Sequence, residues 1–78
     1  MTKPLLVEIK YLLTNALNSD KSSLRKRCLE DVMNLMEEME MDSEKAEMAI
    51  KAEMDGKKEL ADSFIQKILK EVNKLEYK

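Results

Sequence analysis

The chain contains few residues of the kinds that form turns, strands or disulfides. Its 78 residues include one glycine, one proline, one cysteine, one phenylalanine and two tyrosines, with no histidine and no tryptophan. Folds rich in strands or tight turns need far more glycine, proline, β-branched and aromatic residues. The sequence is instead rich in Leu, Met, Ala, Glu and Lys, which are strong helix formers. The composition therefore predicts an all-α protein.

The absence of histidine restricts the chemistry that the chain can perform. The single cysteine, Cys28, cannot form an internal disulfide and has no histidine to activate it or to share a metal ion. Di-iron bundles require Glu-x-x-His motifs, and no glycine-rich phosphate-binding loop is present. We therefore expect no enzymatic activity, no cofactor and no metal, and a reducing compartment such as the cytoplasm.

The sequence also lacks a long apolar run. Its N-terminal apolar stretch is interrupted by Glu8 and Lys10, which excludes a signal peptide or a membrane span there. Charged residues make up 38% of the chain, yet the apolar residues recur at helical spacing, which favours folding over disorder. We expect one soluble domain over residues 1–78.

Helical spacing of the apolar residues predicts a compact bundle of three to four short helices. The first predicted helix runs from Pro4 to about Leu17 and the second from Leu24 to about Met41. The third follows a cap at Asp42 or Ser43 and ends at about Met54, and the fourth runs from Lys57 or Lys58 to about Glu76. Residues 18–23 have the composition of a loop. An alternative joins the second and third helices into one rod, because neither glycine nor proline separates them.

Residues that favour helix ends flank most of these segments. Pro4 suits a first helical turn, with Thr2 or Lys3 as its cap. The second helix has Ser22 or Ser23 as its predicted N-cap, and the third has Asp42 or Ser43. Gly56 is predicted to close the third helix.

The shared core is predicted to contain Leu13, Val32, Leu35, Phe64, Ile68 and Val72. Cys28 lies in the same arc as Leu24 and Val32, so we expect a buried, unreactive thiol. The alternative is a reactive thiol whose pKa is lowered by the adjacent Arg27. In the last helix, apolar residues step by four and three, which calls for a helical partner from this chain or from a copy, so we expect a monomer or a weak homodimer.

Five of the seven methionines lie within residues 33–48. Met33, Met36 and Met39 share one helix face, which favours flexible core packing. Two alternatives are a pliable methionine-rich binding surface and coordination of copper(I) by thioethers, although nothing else in the chain completes a copper site.

Charge is strongly segregated along the chain. Residues 1–27 carry six bases and two acids, residues 28–55 carry two bases and ten acids, and residues 56–78 carry six bases and four acids, for a net charge of −2. In the second helix, bases crowd the N-terminal end and acids the C-terminal end, which opposes the helix dipole. We therefore expect another contact, within the molecule or outside it, to compensate this arrangement.

Two surfaces are candidates for binding. Val7 and Tyr11 lie one turn apart on the side of the first helix opposite its core stripe, which indicates a protein-binding patch, unless the pair covers the third helix. The alternative is a nucleic-acid surface built from basic residues, although the lysines of the last helix also suit ordinary solvation. These residues are Lys21, Arg25, Lys26, Arg27, Lys67, Lys70 and Lys74. The negative net charge and three aromatic residues argue against nucleic acid.

The chain has an all-helical pattern, is rich in Lys, Glu and Met, and has no His or Trp. In these overall features it resembles the small accessory proteins of T4-like phages, among them the short protein encoded beside the phage repair and recombination helicase. No functional residue carries over from this resemblance. It implies a location in the host cytoplasm and a helicase partner that works on branched or single-stranded DNA. We therefore expect a non-enzymatic accessory or regulatory protein that acts through protein–protein interaction.

Overall fold

The protein is a four-helix bundle. A computed structural model describes residues 4–76, so the predicted cap at Thr2 or Lys3 lies outside the described residues. The helices are α1 (Pro4–Asn18), α2 (Ser22–Glu38), α3 (Glu44–Met54) and α4 (Lys58–Glu76), and residues 4–76 include no strand. The predicted all-α bundle is confirmed.

The four helices form a ring in which each packs against two neighbours. Helix α1 packs against α2 and α4, and α3 packs against the same two helices. Within residues 4–76, neither α1 and α3 nor α2 and α4 pack directly on each other. Lys45 near the start of α3 pairs with Glu71 towards the end of α4, and Ser22 at the start of α2 bonds to Glu53 near the end of α3. Helices α2, α3 and α4 therefore alternate in direction.

Helices α2 and α3 are separate, so the alternative of one long rod is wrong. Glu40 adopts a left-handed backbone with φ of 58°. The Met41 amide then donates to the Met36 carbonyl at 2.8 Å, and the Glu40 amide donates to the Glu37 carbonyl at 3.0 Å. This pair of bonds is a Schellman motif, which ends a helix by satisfying its last carbonyls.

The same motif ends α3 at the predicted glycine. Gly56 has φ of 74°, and the Lys57 amide donates to the Ala52 carbonyl at 2.9 Å. Glycine adopts this backbone without the Cβ clash that other residues suffer. The two helix ends therefore share one geometry, but only one of them has the residue that favours it.

The predicted serine caps of α2 are wrong. Lys21 occupies the N-cap position and makes no side-chain capping bond. The hydroxyl of Ser22 instead donates to the Glu53 carboxylate at 2.9 Å, because Glu53 of α3 lies within its reach. At α3, Ser43 is the N-cap residue without a side-chain bond, and Asp42 accepts the Glu44 amide at 3.0 Å.

The core fills the inside of the ring. Of the six predicted core residues, Leu13, Val32, Ile68 and Val72 are fully buried, while Leu35 and Phe64 are partly buried and pack against them. Helix α3 contributes mainly small side chains to the interior, namely Ala46, Ala49 and Ala52. Small residues allow its backbone to approach its neighbours closely, which compensates for the weak apolar pattern of this helix.

The methionine-rich segment is mostly core. Met36 is buried, and Met33, Met39 and Met41 are partly buried against the core. Met48 is 43% exposed. The core interpretation therefore accounts for four of the five methionines, and Met48 contributes to a surface.

Candidate interaction surfaces

Val7 and Tyr11 form an exposed apolar pair on the outer side of α1. Their side chains are 47% and 66% exposed, and they lie one helical turn apart. Helix α1 packs against α2 and α4 rather than α3, so the alternative in which this pair covers the third helix is wrong. No described helix covers this pair.

A groove lies between α1 and α2. Its lining residues are Glu8, Leu12, Asp31, Asn34, Leu35 and Glu38. Leu12 and Leu35 are partly buried and form an apolar floor. Within residues 4–76, none of the three carboxylates in the lining forms an ion pair. We call this surface the acidic groove.

Arg25 lies inside the bundle, not on a nucleic-acid surface. Its side chain is 1% exposed. The guanidinium donates to Glu53 of α3 at 2.7 Å, to Asp62 of α4 at 2.5 Å, and to the Ala16 carbonyl at the end of α1 at 2.7 Å. Burial alone lowers the pKa of Arg25, but the bonds to the two carboxylates outweigh burial and raise it. This arginine therefore links all four helices.

The remaining basic residues do not form one continuous surface. Lys21, the N-cap residue of α2, and Arg27 are exposed, while Lys26 is partly buried. Lys67, Lys70 and Lys74 are exposed on α4, and the Lys67 ammonium lies 5.5 Å from the centre of the Phe64 ring. Helices α2 and α4 occupy opposite corners of the ring, so the structure separates these two groups of bases.

A second apolar surface lies between α3 and α4. Met48 and Leu60 are 43% and 45% exposed, and they border a shallow groove that also includes Phe64, Lys51 and Lys57. The sequence pattern does not indicate this surface, because Met48 and Leu60 belong to different helices and become neighbours only through packing.

Cys28 is buried, as predicted. Burial raises the pKa of its thiol, and the nearby Asp31 raises it further, while Arg27 lowers it by less. The alternative in which Arg27 lowers the pKa overall is therefore not supported. We expect thiol reagents in native buffer to modify Cys28 far more slowly than in denatured protein.

The repeating apolar positions of α4 find their helical partners within the same chain. Ala61, Ile65, Ile68 and Val72 are fully buried in the bundle, whereas Leu75 at the end of the series is 41% exposed. The pattern does not require a second copy of the chain.

No protein-family model, curated protein or solved structure matches this chain. In the described part of the chain, no helix is long and apolar enough to cross a membrane. The same residues include no group of three or more cysteines or acids placed to hold a metal ion.

Proposed function

We propose that this is a non-enzymatic accessory protein of the cytoplasm that binds another protein through the outer surface of α1. The observation that carries this proposal is the exposure of Val7 and Tyr11 on a helix face that no described helix covers. Tyrosine is enriched among the residues that dominate interface energies, because its ring buries a large area and its hydroxyl bonds at the wet edge. Segregated charge speeds encounter and fixes orientation.

The resemblance to accessory proteins of T4-like phages suggests the partner. On that proposal, the partner is a helicase of DNA repair or recombination. The chain would then modulate the helicase by contact and would not itself bind DNA tightly.

The test is affinity capture from the native cell with three tagged proteins: the parent, Tyr11→Ala and Met54→Ala. Met54 and Tyr11 are equally exposed, at 66%, which makes Met54→Ala a matched control. We expect a partner that the parent and the control retain and that Tyr11→Ala loses, while circular dichroism shows an unchanged fold. Equal capture by all three proteins would contradict the proposal.

The alternative, a weak nucleic-acid-binding protein, is tested by titration with single-stranded and duplex DNA at low and near-physiological salt. We expect at most weak binding that salt abolishes, since few phosphate contacts are available. Micromolar affinity at near-physiological salt, lost in the double variant Lys21→Glu with Arg27→Glu, would favour nucleic acid. Arg25 is unsuitable for this test because it is buried.

A further inference from the structure

We infer that the acidic groove between α1 and α2 binds a basic helical segment of a protein partner. This inference rests on the proposed function, since it names the chemistry of the partner that meets the α1 surface. Glu8 and Leu12, which line the groove, directly follow Val7 and Tyr11 along α1. The groove and the exposed pair therefore lie on neighbouring faces of the same helix. A partner that lies on the exposed pair can therefore extend into the groove.

The groove combines an apolar floor with carboxylates on both walls. Leu12 from α1 and Leu35 from α2 form the floor, and both are only partly buried. Glu8 stands on the α1 side, and Asp31 and Glu38 stand on the α2 side. Among residues 4–76, no lysine or arginine lines the groove, so its charge is complementary to a cationic partner.

The two ends of α2 differ in whether their charged side chains have partners. Arg25 at the start of α2 has two carboxylate partners inside the bundle. At the other end, Glu37 and Glu38 occupy the last turn of α2, where the helix dipole is negative. Within residues 4–76, neither forms an ion pair. An external cation would stabilise these carboxylates, which have no ion-pair partner among residues 4–76.

The spacing of the lining residues suits a helix. Asp31, Leu35 and Glu38 lie four and three residues apart along α2, and Glu8 and Leu12 lie four residues apart along α1. A helical partner presents Lys or Arg with apolar residues at the same intervals, and helix-in-groove recognition uses this register. Phosphate-bearing ligands are disfavoured here because the carboxylates would repel them.

The test uses two synthetic amphipathic peptides of equal length and identical apolar residues, one with lysines on its polar face and the other with glutamates. Calorimetric titration at low and near-physiological salt measures affinity, and heteronuclear NMR locates the site. We expect the lysine peptide to bind and to shift the amide signals of Leu12, Asn34 and Leu35. The glutamate peptide should not bind.

A matched pair of triple variants tests the carboxylates. The groove variant carries Glu8→Gln, Asp31→Asn and Glu38→Gln. The control variant carries Glu44→Gln, Asp55→Asn and Glu59→Gln, which remove the same charge from exposed sites on or near α3 and α4. We expect the groove variant to bind the lysine peptide at least about tenfold more weakly and the control to change little. Equal loss in both variants, or equal affinity for both peptides, would overturn the inference.

Combining these variants with Tyr11→Ala separates the two proposals. If Tyr11→Ala loses the native partner while the groove variant retains it and the lysine peptide does not bind, the inference fails and the proposed function stands. If Tyr11→Ala retains every captured protein while the lysine peptide binds the groove, the proposed function fails instead.

Discussion

Bases lie at the N-terminal end of α2 and acids at its C-terminal end, an order that opposes the helix dipole. The two ends differ in whether tertiary packing gives these charges a partner. At the N-terminal end, Arg25 is buried and bonds to Glu53, Asp62 and the end of α1. At the C-terminal end, Glu37 and Glu38 are exposed. The comparison shows that a locally unfavourable charge is tolerated when tertiary packing supplies its partner. Where packing supplies none, the charges stay exposed to solvent, and this exposure is the observation behind the proposed cationic partner.

Removing the buried Arg25 side chain should destabilise the protein, which tests the N-terminal end of α2. Arg25→Ala leaves the Glu53 carboxylate, 6% exposed, without its counter-ion, and the loss of one member of a buried ion pair costs about 3–5 kcal/mol. We expect urea unfolding to show a loss of this size, a large share of the stability of a small domain.

Arg27→Ala is the matched control, because Arg27 is exposed two residues further along the same helix. It should change the free energy of unfolding by no more than about 0.5 kcal/mol. If both variants unfold alike, the buried network does not stabilise the fold. The double variant Arg25→Met with Glu53→Leu should recover part of the loss, since apolar residues of similar size often replace buried ion pairs without penalty.

A purely apolar core substitution provides a scale for that effect. Ile68 is fully buried, and Ile68→Ala should cost about 2–5 kcal/mol from lost burial and the cavity left behind. Leu35 is only partly buried, so Leu35→Ala should cost less than Ile68→Ala in the same denaturation experiment. A parent-like melting temperature for Ile68→Ala would contradict the core assignment.

The helical elements were largely predictable from the sequence, because each amphipathic stripe depends on residues three and four positions apart. Pro4 and Gly56 fixed two boundaries through their own backbone preferences. The end of α2 was harder to predict, because Glu40 adopts a left-handed backbone that its residue type disfavours. The serine caps failed because Ser22 instead bonds to Glu53, which is 31 residues away.

The candidate interaction surfaces were predictable only where a single helix forms them. The exposure of Val7 and Tyr11 follows from their place on α1 opposite the core stripe. The acidic groove needs α1 and α2 side by side, which helical spacing alone does not give. Arg25 shared a helix face with Cys28, Leu29 and Val32, and that was the available signal of its burial. Its partners lie 28 and 37 residues away, beyond the reach of local patterns.

The two Schellman ends offer a smaller test, because they share a geometry but differ in residue. Gly56→Ala introduces a side chain at φ of 74°, where no neighbouring atom obstructs it, so the expected cost of about 1–2 kcal/mol is backbone strain alone. Glu40→Gly should have the opposite sign and stabilise the protein by about 1 kcal/mol, because it relieves the same strain. Stabilisation by both substitutions, or by neither, would show that backbone strain does not determine the stability of these two variants.

The smallest expected effect concerns the uncompensated end of α2. Neutralising Glu37 and Glu38 with glutamine removes negative charge from the negative end of the helix dipole, so stability should rise by about 0.3–1 kcal/mol per residue at low salt. High salt should remove most of the gain, because exposed charges are screened. Glu44→Gln is the control, since Glu44 lies in the first turn of α3, where loss of a negative charge should destabilise by a similar amount. Urea unfolding at two salt concentrations measures the stability of Glu37→Gln, Glu38→Gln and Glu44→Gln. Destabilisation on neutralising Glu37 and Glu38 would mean that a cation of the same chain compensates them, and the contrast between the two ends of α2 would then fail.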